Sequence, residues 1–239
     1  MLNKINFRSL YSSGESDSPI SFFTDALSNS ISFDLGLGFF SSASFNILSI
    51  GFAKFISNGG KMRLYINQYL SEEDYQIFTA HPDIVEDKVI DSFTSMLNVL
   101  TKRDKQFFNC LSYLIYTHRI EVRIVIPNSG GIAHQKFGIF TDTAQNKVSF
   151  IGSLNLTASA LLSKNIESIS CNCSWKGATE TINDYQQLFD KYFSGDKEGI
   201  TVIPASRLTK EIIKAFPATE EKTLLDNEKE LIEELTQQK

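Results

Sequence analysis

Apolar positions along this chain switch between helical and strand spacing, and the order of the switches predicts an alternating α/β organisation. Ile20 to Leu27 reads as a helix, and Ser30 to Gly38 alternates as a strand. Phe45, Leu48, Phe52, Phe55 and Ile56 recur at helical spacing until Asn58-Gly59-Gly60 supplies a stop, and Met62 to Asn67 follows as a strand. A strand, helix, strand order predicts a parallel, right-handed crossover. Ser71-Glu72-Glu73-Asp74 marks a helix start. Ile84 to Leu100 and Gln106 to Thr117 predict two further helices, with Thr101-Lys102-Arg103-Asp104-Lys105 between them. Strands then cluster at Glu121 to Ile126, Ile132 to Phe140, Val148 to Ile151 and Ile166 to Cys173. A helix carrying Ile182, Tyr185, Leu188, Phe189 and Tyr192 on its inner face closes the series. The fold class expected is α/β: a mixed, largely parallel sheet flanked by helices over residues 1–203. Residues 204–239 are expected to form a helical tail or linker, in which Leu224, Leu225, Leu231, Ile232 and Leu235 make a narrow stripe. That stripe suits either packing on its own domain or joining a partner helix.

Set into the strand cluster is a concentrated chemical pattern. His134-Gln135-Lys136, then Gly152-Ser153-Leu154-Asn155, then Glu167 bring an imidazole, an ammonium, an amide and a carboxylate within 34 residues. Strand alternation sends His134 and Lys136 to one face and Gln135 and Phe137 to the other. An imidazole can attack phosphorus or protonate a departing alkoxide near neutral pH. A lysine ammonium and an asparagine amide offset charge on non-bridging oxygens without a metal, and Ser153 adds a donor. Asn155 falls between a strand and a helix start, where anions are favoured. Glu167, on a strand, can orient an imidazole by accepting its other N–H. The set is suited to metal-free cleavage of a phosphodiester, and Pro127-Asn128-Ser129-Gly130-Gly131 places a loop directly before it as a rim over substrate.

With these residues the chain resembles the phospholipase D superfamily, whose signature is H-x-K, a following aspartate, G-S-x-N and a later acidic residue. The resemblance is closest to the nuclease and restriction-endonuclease branch. Its motif covers residues 134 to 167, and the order of elements extends the likeness over roughly the first 200 residues. It implies that His134 is a covalent nucleophile and that Lys136, Ser153 and Asn155 hold the phosphate, with Glu167 as the acidic partner. The family's aspartate falls five residues after the lysine, where this chain has Thr141, with Asp142 one residue later. The family's site also needs two H-x-K elements. Only His81, His118 and His134 occur here, and neither of the first two is followed by lysine two residues on. The resemblance therefore implies a homodimer with one composite site, with no metal or other cofactor. His81 and His118 are expected to be structural.

Charge narrows the partners. The net charge is −5, yet residues 220–239 hold seven acidic and three basic residues, so the remainder is near neutral. A strong non-specific DNA binder is normally basic, because phosphate contacts release counterions. No recognisable DNA-reading module is present. Catalysis on DNA is thus expected here and target choice elsewhere, in a partner subunit or a missing domain; the resemblance implies a helicase or specificity subunit of the kind found in restriction and phage-defence systems. The other function classes the residues admit are a weakly active dimeric scaffold in a nucleic-acid complex and a phospholipase D-type lipid phosphodiesterase. The lipid reading lacks a basic amphipathic helix. No apolar stretch is long enough to cross a bilayer and no secretory segment opens the chain, so a cytoplasmic location without membrane contact is expected. Three cysteines fit a reducing compartment, and Cys171-Asn172-Cys173 lacks the second ligand pair that zinc requires.

Overall fold

The computed structural model describes residues 1–12, 18–38, 48–68, 83–128, 136–152 and 168–237. Its centre is an eight-stranded sheet. The strands are β1 (Leu10–Ser12), β2 (Ser32–Leu37), β3 (Lys61–Asn67), β4 (Ile120–Pro127), β5 (Lys136–Thr141), β6 (Lys147–Gly152), β7 (Ser168–Cys173) and β8 (Ile200–Pro204). Across the sheet they run β1-β7-β6-β5-β2-β3-β4-β8. The helices are α1 (Pro19–Ser28), α2 (Phe52–Ser57), α3 (Asp83–Met96), α4 (Lys102–Tyr116), α5 (Thr179–Ser194), α6 (Ser206–Ala215) and α7 (Glu221–Gln237).

The sheet is mixed, as expected, and the expectation that it is largely parallel is corrected. Among the described residues only β2–β3 and β3–β4 pair in parallel, and the other five pairings are antiparallel. Chain length explains the difference at β5 and β6. A parallel partner needs a crossover of about a dozen residues or more. The predicted crossover from β2 to β3 has that length. From Pro127 to Lys136 the chain is shorter, so β5 starts at the edge where β4 ends and runs the opposite way. Thr141 and Lys147 are joined by a tight turn that returns β6 beside β5.

Alternation along the strands divides the core in two. Phe33, Leu35 and Leu37 of β2 and Met62, Leu64 and Ile66 of β3 face one layer, built with α1, α2, α3, α4 and α6. Phe33 and Phe140 are register partners and stack at 4.0 Å between ring centroids. On the opposite face Tyr65, Val125 and Phe137 pack under α5 through Phe189, Tyr192 and Phe193. Gly36 makes room for the Tyr65 ring, because a Cβ there would lie 2.4 Å from its hydroxyl oxygen. Burial of that hydroxyl raises its pKa above the ordinary phenol value, with the neighbouring Tyr192 adding to the rise.

Two sequence expectations shift for identifiable reasons. Helix α4 begins at Lys102, because Thr101 and Asp104 form a capping box in which each side chain accepts from the other's backbone N–H. The charged run 101–105 is therefore a helix start. The edge strands β1 and β8 were not predicted; three residues in β1 are too few to display a period. The helix start at 71–74 lies outside the described residues. His118 follows α4 in the left-handed region, φ 55°, which gives it a turn-forming role at a helix end. All three cysteines are free and buried. No described helix is long and apolar enough to cross a membrane.

Of the two uses predicted for the C-terminal stripe, packing on the chain's own domain is the one observed. Leu224 and Leu231 are buried. α7 lies against α2 and α4, and α6 against α3 and α4. Buried carboxylates fasten both helices. Glu228 on α7 accepts from the Ala53 backbone N–H at 2.8 Å, at the start of α2. Glu86 on α3 accepts from the Arg207 and Leu208 N–H groups at 2.5 and 2.9 Å, at the start of α6. Each meets helix N–H groups that have no partner within their own helix. Burial raises the Glu228 pKa, opposed by the hydrogen bonds from Ala53, Lys54 and Gly51.

Asp142 performs the same service for the β5–β6 turn and for the N-terminus. Its carboxylate accepts from the backbone N–H groups of Leu2 at 2.8 Å and of Ala144 and Asn146 at 2.9 Å, and from the Asn146 amide. Burial on its own raises the pKa, but the hydrogen bonds from Asn146, Leu2 and Ala144 outweigh it and hold the carboxyl below its ordinary value. A depressed folded-state pKa adds stability that is present above the unfolded pKa and lost as pH falls through the folded one. Asp142→Ala should cost about 2–4 kcal/mol in urea unfolding at pH 7. The gap from the parent protein should narrow below about pH 4. A gap that widens on acidification would contradict this account.

Candidate active site

The strand directions gather many chain ends at one edge of the sheet. Leu37, Asn67 and Pro127 end the parallel strands β2, β3 and β4 there, while Lys136 begins β5, Gly152 ends β6 and Ser168 begins β7. The chain leaves β2 toward β3 on one side, whereas β5 takes its place on the other side of β2. Ligands of open α/β sheets characteristically bind beyond the carboxyl ends of strands at such a switch in order.

Lys136 is the one sequence-predicted site residue among the described positions. Its Cα pairs with that of Gly152 across β5 and β6, and Gly152 pairs in turn with Ile169 of β7. The first residue after the H-x step and the glycine of G-S-x-N are therefore direct neighbours at the same edge. The Lys136 residue is only 4% exposed. Its stem crosses Gly38, where a Cβ would lie 2.8 Å from the lysine Cε and 3.7 Å from Nζ. Phe137 turns to the α5 face, as alternation predicts. His134, Ser153, Asn155 and Glu167 lie outside the described residues. Along the chain they fall two residues before Lys136, one and three after Gly152, and one before Ser168.

Glycine at 152 meets a spacing requirement between β6 and β7. A Cβ there would stand 2.7 Å from the Ser168 carbonyl oxygen and 2.9 Å from Ile169 Cγ2. At Gly38 the obstacle is instead the far end of a flexible side chain. Asp142 is at the other end of β5, about 17–20 Å from Lys136 at the usual strand rise. It cannot join a site formed around the lysine, and its backbone partners account for its burial.

A cleft of about 710 Å³ opens near Thr141, at the end of β5 remote from Lys136, and is lined by residues including Asp34, Arg63, Arg123, Lys147, Gln186 and Asp190. Arg63, Arg123 and Lys147 in it are already engaged. Asp34 accepts from Arg63 Nε at 2.8 Å and Nη2 at 2.5 Å, and Asp190 from Nη2 at 2.9 Å. The hydrogen bond to Asp34 is the main cause of a raised Arg63 pKa. The guanidinium also lies 4.9 Å from the Phe189 ring centroid. Gln186 links Lys147 to Asp34. These contacts tie α5 to the sheet and leave the cleft without an uncommitted anion-binding group among these pairs.

Two residues that sequence reasoning missed, Gly38 and Asn67, stand at the Lys136 edge. Both follow or end a parallel strand, and that position was the available signal. Asn67 is 2% exposed, and its Nδ2 donates to the Leu37 carbonyl at 2.9 Å.

No protein-family model matches the chain, and no curated protein matches it. Among solved structures it is similar to Nuc, a phospholipase D family member from Salmonella typhimurium, with 12% identity and a TM-score of 0.43 over 77% of this chain and 92% of that one. It is also similar to NucT from Helicobacter pylori, with 17% identity and a TM-score of 0.43 over 78% and 94% of the two chains. A polyphosphate kinase from Porphyromonas gingivalis gives 10% identity and a TM-score of 0.40, covering 84% of this chain but 24% of that one. Likeness at this level carries no argument about substrate or activity.

The two glycines should respond differently to a methyl group. Gly152→Ala should lose roughly 2–4 kcal/mol, because the obstacle is backbone of β7. Gly38→Ala should lose less than about 1.5 kcal/mol, because the lysine stem can swing away. Equal losses in chemical denaturation would show that Lys136 is as fixed as the β7 backbone.

Proposed function

We propose that this chain is a metal-independent phosphodiesterase that cleaves DNA through a phosphohistidine, working as a homodimer with one composite site. The observation that carries the reading is the register that seats Lys136 beside Gly152. Lys136 is the last residue of H-x-K and Gly152 the first of G-S-x-N, and Gly152 pairs with Ile169 on the strand that follows Glu167 in sequence. A lysine that is 4% exposed is a cation already withdrawn from water, so its charge acts strongly on an anion brought beside it.

In the first step an imidazole nitrogen of His134 attacks phosphorus. The P–N bond forms as the P–O bond to the leaving nucleoside oxygen breaks, and His134 of the second protomer gives that oxygen its proton. Lys136, Ser153 and Asn155 stabilise charge on the non-bridging oxygens. Glu167 orients an imidazole by accepting its other N–H. In the second step the same second imidazole removes a proton from water, the hydroxide attacks phosphorus, and the P–N bond breaks. The nucleophile and the general acid are thereby restored.

The near-neutral body of the chain supports a division of labour, with phosphodiester cleavage here and target choice in a helicase, specificity subunit or further domain. A nuclease component of a restriction or phage-defence assembly fits that division, in a cytoplasmic setting. Plasmid cleavage should persist in excess EDTA and vanish in His134→Ala. Lys136→Met should lower kcat/KM by about 10²–10³. The active species should sediment as a dimer. Cleavage that depends on added Mg²⁺, or a fully active monomer, would overturn the proposal.

A further inference from the structure

Asn67 ends β3 at the edge occupied by Lys136, and its side chain is half satisfied. Nδ2 donates to the Leu37 carbonyl at 2.9 Å, which fixes the orientation of the amide. Exchanging the two ends would set two acceptors against each other, so the atom left over is the carbonyl oxygen. That Oδ1 is buried and has no hydrogen-bond partner among the described residues. Capping the last carbonyl of β2 accounts for the NH₂ end and leaves the buried acceptor unexplained. Buried polar atoms are nearly always paired, and an exception at a candidate site calls for a physical account.

The nearest candidate donor at this edge is the Lys136 ammonium, whose Nζ would lie 3.7 Å from a Cβ on Gly38. Leu37 pairs with Ile66 in the β2–β3 register, so Gly38 and Asn67 follow as the next residues of adjacent strands. The Lys136 stem crosses Gly38, on the line from β5 toward β3. Two strand spacings, about 9.6 Å, separate β5 from β3, and by alternation Lys136 and Asn67 leave opposite faces, so the lysine reaches the asparagine round the end of β2, past Gly38. An ammonium has three N–H bonds, so one can reach Asn67 while others serve existing partners and a phosphate oxygen.

We infer that Asn67 is a positioning residue for Lys136: its side-chain carbonyl accepts one ammonium N–H when the lysine closes on a bound phosphate group. The inference rests on the proposed phosphodiesterase reading for the identity of the anion. The contact holds the ammonium in one orientation and favours its charged form. Gly38 keeps the path between the two side chains clear.

The test follows Lys136 itself, using protein labelled with ¹³C at lysine Cε, with the resonance assigned by its loss in Lys136→Arg. With inorganic phosphate present, the Lys136 titration midpoint should fall by about 1 pH unit in Asn67→Leu and rise in Asn67→Asp, which sets a carboxylate beside the ammonium. On an oligonucleotide substrate, Asn67→Leu should lower kcat about tenfold with little change in KM. Should Asn67→Leu fail to fold, the near-isosteric Asn67→Asp carries the titration. A Lys136 signal that phosphate leaves unmoved, or a midpoint indifferent to residue 67, overturns the inference. The titration needs no turnover, so a protein that binds phosphate and responds at residue 67 but cleaves no nucleic acid would defeat the nuclease reading alone.

Discussion

The backbone ladder that holds β5 between β2 and β6 is the constraint on which the rest of the molecule depends. Because side chains alternate with a period of two, a slip of one residue would turn Phe140 away from Phe33 and carry Lys136 off the sheet edge. The ladder is locked by sterics as well as by hydrogen bonds. Gly138 sits where a Cβ would come within 2.8 Å of the Asp34 carbonyl oxygen and 2.7 Å of the Phe150 ring. The stacked pair Phe33 and Phe140 and the close approach at Gly138 fit together in one register only. That register also brings Lys136 opposite Gly152, so the packing of the core and the layout of the edge have a single origin.

The two ends of the sheet are put to different uses. At the end holding Thr141 and Lys147, the carboxylates of Asp34 and Asp142 are fully engaged by guanidinium, amide and backbone N–H groups. Charge there is internally balanced and holds α5 and the N-terminus in place. At the opposite end Lys136 is 4% exposed, and the buried Asn67 side-chain carbonyl lacks a hydrogen-bond partner among the described residues. An unpaired buried acceptor costs stability, and proteins keep one where a ligand or a moving group supplies the missing partner. Glu86 and Glu228 extend the balanced side of this division, because each caps a helix far away in sequence and binds the C-terminal helices to the body.

Much of this arrangement was legible in the residues. The crossover from β2 through α2 to β3 could be read from the change of period and the Asn58-Gly59-Gly60 stop. β4, β6 and β7 fell where branched and aromatic residues cluster. Strand direction was harder to read, since it depends on connection length and on which neighbour a strand finds, and neither leaves a local pattern. The start of α4 was obscured because Lys102, Arg103 and Lys105 look like a solvated linker until Thr101 and Asp104 are recognised as a capping pair. In the candidate site, Lys136 and Gly152 stood out through motif spacing. Gly38 and Asn67 did not, because a glycine after a strand and an asparagine at its end are commonplace and acquire meaning only from what crosses them. The role of Asp142 was hidden for a similar reason, since its partners include Leu2, at the far end of the chain.

On the proposed reading, the weak overall charge of the chain and the burial of its lysine are two sides of one physical choice. A basic surface gathers nucleic acid from a distance, through a long-range attraction that salt screens. A single desolvated ammonium acts over a few ångströms and in a low local dielectric, where its effect on a phosphoryl group is large and screening is slight. A chain built in the second way gains little affinity for arbitrary duplex DNA, yet can stabilise charge at one phosphorus once a strand has been delivered. Delivery must then come from elsewhere in the assembly, which limits cleavage to sites that another component has chosen. Near neutrality thus follows from placing the catalytic charge inside the fold, and restraint toward bystander DNA is its physical consequence.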